Sequence, residues 1–194
     1  MLTPQAPPGD RITDVAGLAV GHHSRLDDEV VVGTPTEPGS GWATGTTVVV
    51  VPDGAVTAVD VRGGGPGTRE TDLLDPVNTV LGAQAIVLTG GSAYGLGAAD
   101  GVMRGLEDAG RGLQMDLLGH VVPIVPAAVI FDLPVGGWQQ RPDAGFGAAA
   151  LAAAGADFAI GTSGAGTGAR AGALKGGVGT ASLRPASRVL GARE

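Results

Sequence analysis

Two stretches of the chain thread polar and ionisable side chains through glycines, and each follows an apolar, strand-like run. The first is Gly63-Gly64-Gly65-Pro66-Gly67-Thr68-Arg69-Glu70-Thr71-Asp72-Leu73-Leu74-Asp75-Pro76; the second is Gly90-Gly91-Ser92-Ala93-Tyr94-Gly95-Leu96. Glycine has no Cβ, so its backbone reaches positive φ and lets a ligand or another chain segment come close. The fold must therefore turn sharply at strand ends and present Arg, Glu, Asp, Ser and Tyr there. Composition follows the same logic: with 36 Gly and only 3% aromatic residues among 194, small residues must fill the interior. Glycine-rich composition is also a mark of disorder. Here the glycines separate apolar runs such as Val48-Val49-Val50-Val51 and Ala85-Ile86-Val87-Leu88, which points to folded structure.

The apolar runs read as a mixed set of strands and helices in one domain. Residues 18–22 read as a short strand, 26–40 as a polar loop, and 43–51, rich in Thr and Val, as a buried strand. Pro52-Asp53-Gly54 is a turn signal that makes residues 56–61 the returning strand of a hairpin. A short helix is predicted over 72–81, capped by Asp72 or Asp75 with Pro76 in its first turn. Residues 84–89 form another apolar strand, and Ser92 is placed as the N-cap of a helix reaching about residue 109. Leu96, Ala99, Met103 and Leu106 give that helix one apolar face, Asp100 and Arg104 an i,i+4 pair, and Gly110 its stop. Strands are predicted over 121–125, 129–133 and 158–161, and an Ala-rich helix over 143–154. Strands outnumber helices and alternation is incomplete, so the expected class is layered α/β, sheet covered by helices on one side.

Charge and composition exclude several functions. The net charge of −7, with no Lys/Arg cluster, argues against nucleic acid as a partner. Without cysteine there is no disulfide and no thiolate chemistry. No apolar run reaches the roughly 20 residues that span a bilayer. The Pro-containing start, residues 1–11, reads as a loose arm without signal-peptide character, which makes the cytoplasm the expected location. His22, His23 and His120 are the only histidines and show no carboxylate at ligand spacing, so no metal is expected. Gly164-Ala165-Gly166-Thr167-Gly168-Ala169 lacks the acidic residue of a dinucleotide site and reads as a backbone-packing loop. A Ser92–Asp132–His120 triad fails at the elbow, because Tyr94 stands where the last Gly belongs.

Further blocks run in order along the chain: Ile12-Thr13-Asp14-Val15, Val20-Gly21-His22, Gly41-Trp42-Ala43-Thr44-Gly45-Thr46-Thr47-Val48, Ala58-Val59-Asp60-Val61-Arg62-Gly63-Gly64, Val122-Pro123-Ile124-Val125-Pro126, Ile130-Phe131-Asp132-Leu133 and Lys175-Gly176-Gly177-Val178-Gly179-Thr180-Ala181-Ser182. With the two glycine stretches they resemble the self-processing, N-terminal-nucleophile aminopeptidases of the L-aminopeptidase/D-esterase type, which include the β-peptidyl aminopeptidases. The resemblance covers about residues 12–182 and implies the first-subunit part of a four-layer αββα sandwich. It implies an enzyme that releases N-terminal residues from small peptides, amides or esters, with no metal and no organic cofactor. In that family the precursor cuts itself after an Asn, and the exposed Ser or Thr becomes the nucleophile. Its own α-amine, with a pKa near ~8, serves as base.

The resemblance places that nucleophile on a second subunit and implies homo-oligomers of processed units. It assigns Tyr94 to stabilising the developing oxyanion; losing such a donor costs roughly 3 kcal/mol of barrier. The alternative for Tyr94 is a core tyrosine with a satisfied hydroxyl. Ser92, Arg69, Glu70 and Asp72 are candidates for the substrate cleft, where a carboxylate would meet the substrate's amine. The alternative for Arg69, Glu70 and Asp72 is a network that pins a loop and caps a helix. Trp42 and Trp138 are read as pocket walls, or as core or subunit contacts. The family's late Asn is expected beyond Ser182, yet residues 183–194 hold three Arg and a Pro instead of another apolar strand. A truncated gene, a shifted reading frame or a designed end would each explain such a tail. Asn78-Thr79 is rejected as a processing bond, since cutting there leaves a very short first subunit; Thr180 and Ser182 read as a structural loop. These 194 residues alone are expected not to hydrolyse peptides, and the alternative is an inactive homologue or partner subunit.

Overall fold

The computed structural model describes residues 9–184, so most of the predicted arm (1–11) and of the atypical tail (183–194) lies outside the described residues. The strands are β1 (Ala19–Leu26), β2 (Ala43–Val50), β3 (Thr68–Arg69), β4 (Ala85–Thr89), β5 (Leu113–Gln114), β6 (Val121–Val122), β7 (Ala127–Val129), β8 (Arg170–Ala171) and β9 (Leu174–Lys175). The helices are α1 (Ser92–Gly95), α2 (Ala98–Asp108) and α3 (Ala144–Ala152). The Thr/Val run of β2 pairs antiparallel with β1 on one side and β4 on the other. Its first six residues are buried. β7 joins β4 in parallel and β3 closes the edge, giving the order β1-β2-β4-β7-β3. A parallel pair needs a long crossover, and the segment carrying α1, α2 and the β5–β6 ribbon supplies it.

Alternation along the strands sorts the two faces of this sheet. Val48, Ala85, Val87 and Ala127 face α2 and α3, which contribute Ala98, Ala99, Val102, Leu106 and Ala150 to one core. Small residues let these layers come close. A methyl group at Gly101 would overlap the Ala144 carbonyl, and one at Gly147 would overlap the Ala98 carbonyl, so α2 and α3 touch backbone to backbone. This crossing explains how a chain so poor in aromatics packs. The predicted apolar face of α2 is observed, and Asp143 caps α3 by accepting the Phe146 N–H.

On the opposite face stand Val20, His22, Thr47, Val49, Ile86 and Leu88. The 3-10 turn Gly164–Gly166 covers part of it, as the backbone-packing reading expects: the Ala165 N–H donates to the Thr47 hydroxyl oxygen at 3.0 Å. Beside that turn the face stays open, with Leu88 39% exposed over a depression of about 420 Å³. His22 ties strand to loop. Its Nε2 lies 3.0 Å from the Ala159 carbonyl, which only accepts, so Nε2 carries the proton and Nδ1 accepts from Thr47 at 2.9 Å. Burial lowers the His22 pKa, opposed by the Ala159 bond. A base depressed in the folded state contributes stability that is fully present above its unfolded value of about 6.5 and is lost as pH falls through the folded pKa. The urea midpoint is therefore expected to drop between pH 7.5 and 5.5, and His22→Gln to flatten that dependence.

Several predicted elements differ. Residues 56–61 form no strand, and Val56 is 87% exposed. Both edges of β2 are already taken by β1 and β4, so a hairpin return has no edge to pair with. The helix predicted over 72–81 is one 3-10 turn, Asp72–Leu74; Asp75, preceding Pro76, is extended at φ −62°, ψ 129°. The helix predicted from Ser92 is broken between Gly95 and Ala98, where i→i+3 bonds replace the α pattern. Gly91, not Ser92, is the N-cap of α1. Asp100 pairs with Arg69 instead of Arg104. β7 lies at Ala127–Val129 rather than 129–133, β6 spans only Val121–Val122, and residues 158–161 contribute a single bridge, Gly161 to Val178.

Candidate active site

Because β4 and β7 are parallel, their carboxyl ends emerge side by side, and the second glycine stretch starts there. Ile130 N–H donates to the Thr89 carbonyl and Ser92 N–H to the Ile130 carbonyl, both at 3.0 Å. Gly91 (φ 85°) and Ser92 (φ 52°) are two successive left-handed residues that swing the chain from β4 into α1. Serine is seldom found there, so the turn needs support. Asp132 supplies it. Its Oδ1 accepts the Gly91 N–H at 2.6 Å and its Oδ2 accepts the Thr44 hydroxyl at 2.7 Å, in a pocket that leaves the residue 3% exposed. Burial pushes the Asp132 pKa up, and these two hydrogen bonds oppose the shift.

Tyr94 stands on α1, two residues past this turn. It is 58% exposed, so the core-tyrosine alternative fails. The Arg141 guanidinium lies over its ring, 3.8 Å from the centroid, a cation–π contact that holds the exposed ring. At the same end of the sheet, Phe131 and Trp138 are exposed and meet edge to face, centroids 6.5 Å apart. Trp138 also walls an apolar pocket of about 280 Å³ with Pro35, Pro38 and Leu133. Trp42 is different: it stacks on Phe146 of α3 beneath Arg25, a packing role. Near this turn the chain thus carries two exposed aromatic groups, Tyr94 under Arg141 and the Phe131–Trp138 pair.

Ser92 and Tyr94 thus share one turn. The other candidates are held elsewhere. Arg69 donates to Asp100 at 2.5 Å, and Glu70 (φ 56°) accepts the Val125 N–H at 2.9 Å, contacts that pin the first glycine stretch to α2 and to the segment just before β7. Asp72 is exposed beside a separate polar depression with Thr71, Asp75 and Asn78. No catalytic triad forms: Asp132 binds Gly91 and Thr44, while His120 pairs with Asp116 at 2.6 Å. Against the expectation of no carboxylate at ligand spacing, His120 has Asp116 four residues back in sequence. Among the described residues no three His, Asp or Glu side chains gather as a metal site, and no helix is long and apolar enough to cross a membrane.

Sequence reasoning placed Phe131 and Asp132 only within a family block, weighed Asp132 as a triad member, and did not single out Arg141. The signal for Asp132 was present: an acid inside the apolar run Val129-Ile130-Phe131-Asp132-Leu133 is buried only where something holds it. Arg141 gave none, because its contact with Tyr94 spans 47 positions, a separation that pattern reading does not reach.

Comparison with known proteins gives a consistent result. The description "Peptidase family S58" matches residues 10–192. An uncharacterized aminopeptidase of Mycobacterium tuberculosis is 65% identical over 171 residues, covering 88% of this chain and 47% of the relative. Among solved structures, a Burkholderia β-aminopeptidase superposes with a TM-score of 0.64 at 23% identity, over 87% of this chain and 45% of that one. The L-aminopeptidase D-Ala-esterase/amidase from Ochrobactrum anthropi, described as a new variant among the Ntn hydrolase fold, gives 0.67 at 19% identity, over 90% and 48%. At these identities the likeness to the solved structures is one of fold. The chain spans about half the length of the curated relatives it matches.

Proposed function

The chain belongs to peptidase family S58, and we propose that it supplies the oxyanion-binding half of an aminopeptidase whose nucleophile comes from polypeptide beyond these residues. The observation that carries this reading is Tyr94: an exposed tyrosine on a braced strand-to-helix turn, with Arg141 above its ring. A preorganised donor at an open strand end fits where charge develops in acyl transfer. The N-terminal Ser or Thr of the second segment attacks the substrate carbonyl, and its own α-amine takes the hydroxyl proton. The carbonyl oxygen becomes anionic and receives the Tyr94 O–H hydrogen bond. Collapse expels the leaving amine or alcohol, which takes the proton back, and water then releases the acyl group. The substrates are small peptides, amides or esters with a free amine. Ser92 shapes the cleft beside Tyr94, while Arg69 and Glu70 pin the first glycine stretch to α2 and to Val125.

The open sheet face supports the same division. Leu88, Val49 and Ile86 lie on a face that the described residues cover only in part, and a bare apolar sheet promotes association. The second segment seats there, and the complete cytoplasmic enzyme assembles as a homo-oligomer. The test is release of p-nitroaniline from an L-aminoacyl-p-nitroanilide. The 194-residue chain alone is expected to be inert, and the same chain produced with a nucleophile-bearing second segment to be active. Turnover by the chain alone would defeat this division of labour. Inertness with every such segment would leave an inactive homologue.

A further inference from the structure

Asp132 takes no part in the chemistry just described, yet it is an acid buried to 3% exposure, and no ion pair among the described residues includes it. Burying a carboxylate without a cation is costly, and a framework position is filled more cheaply by an amide or an aliphatic side chain. We propose that Asp132 is the positioning residue of the oxyanion donor: it locks Gly91 in its left-handed conformation and, through Ser92, fixes where the Tyr94 phenol stands. This rests on the reading of Tyr94 given above.

The geometry supports the assignment in three ways. The carboxylate joins three elements, since Asp132 itself follows β7, Thr44 lies in β2, and Gly91 follows β4. An ionised carboxylate only accepts, so both donors point at it in one arrangement. The space around it is closed: a methyl group at Gly90 would overlap both the carboxylate and the Thr44 hydroxyl, and one at Gly168 would sit 2.6 Å from Oδ2. The glycines of the active turn and of the 164–179 stretch therefore converge on a single side chain. Finally, the bond at 2.6 Å acts on the first of two consecutive left-handed residues, Gly91 and Ser92, the second carrying a side chain that disfavours that conformation. Without it the turn relaxes, and the phenol two residues on moves with it.

The experiment compares Asp132→Asn and Asp132→Ala with Tyr94→Phe in the complete enzyme, reading kcat, KM and the Gly91 amide proton in [15N]glycine-labelled protein. The amide of Asp132→Asn still accepts from Gly91 but no longer receives from Thr44 in the same way, so kcat is expected within about tenfold of wild type. Asp132→Ala is expected to lose about 100-fold in kcat, the effect of a reacting group displaced by an ångström, with KM little changed. The Gly91 amide proton is expected far downfield in wild type and shifted upfield in both variants. Should the alanine variant fail to fold, the asparagine variant and its amide shift decide. Wild-type kcat in a folded Asp132→Ala, or an unmoved Gly91 resonance in Asp132→Asn, would overturn the proposal. A Tyr94→Phe enzyme with wild-type kcat would instead overturn the role of Tyr94, while the Gly91 resonance still reports whether Asp132 sets the turn.

Discussion

Tyr94→Phe is expected to lower kcat of the complete enzyme by about 10²–10³-fold, the range for loss of one oxyanion donor, with KM close to wild type. The substitution is clean because the ring is held by something other than its hydroxyl. Arg141 lies over the ring face, and that contact is kept by phenylalanine. The ring is also 58% exposed, so removing its oxygen leaves no buried partner unsatisfied. On the proposed role, what disappears is a hydrogen bond that strengthens as the carbonyl oxygen gains charge. An interaction made mainly in the transition state lowers kcat and kcat/KM together, whereas uniform binding would raise KM alone. Steady-state kinetics on an L-aminoacyl-p-nitroanilide distinguish the two. A rise in KM at constant kcat would reduce Tyr94 to a wall of the substrate cleft.

Gly147→Ala is expected to destabilise the fold by about 2–3 kcal/mol, the scale of overpacking a closed contact, although alanine is the better helix former by about 1 kcal/mol. The opposing terms are local. Helix propensity favours alanine at every interior position of α3, but at Gly147 the added methyl group overlaps the Ala98 carbonyl of α2, and backbone cannot step aside as a side chain does. Gly105→Ala is the internal control. There the new methyl meets only the far end of the flexible Leu151 side chain, at 2.7 Å, rather than backbone. That variant should be neutral or slightly stabilised, while Gly147→Ala melts lower by roughly 4–12 °C for a chain of this size. Equal melting temperatures for the two would mean that α2 and α3 do not meet backbone to backbone.

The sequence revealed elements whose signals are local. The Thr/Val run of β2, the apolar run of β4, the Ala-rich run of α3 and the apolar face of α2 all depend on residues within a few positions of one another. The glycine-flanked Ser92 and Tyr94 were legible for the same reason. What stayed hidden depends on partners far away. Residues 56–61 carry the composition of a strand but find both edges of β2 occupied. Asp132 looks like an isolated acid until Thr44 and Gly91, 88 and 41 positions away, are seen to meet it. The first glycine stretch suggested a cleft through its charges, yet Arg69 and Glu70 reach α2 and Val125 instead. Of the two readings offered for Arg69 and Glu70, substrate cleft or loop-pinning network, their contacts match the pinning one.

A crystal structure of the complete enzyme with an α-aminoboronic acid bound tests the role of Tyr94 most directly, because the tetrahedral boronate places an oxygen where the oxyanion forms. Tyr94 Oη is expected within about 2.7–3.1 Å of that oxygen, with the boron bonded to an N-terminal Ser or Thr of the second segment. A boronate oxygen held by other donors, with Tyr94 out of hydrogen-bond reach on its turn, would contradict the assignment.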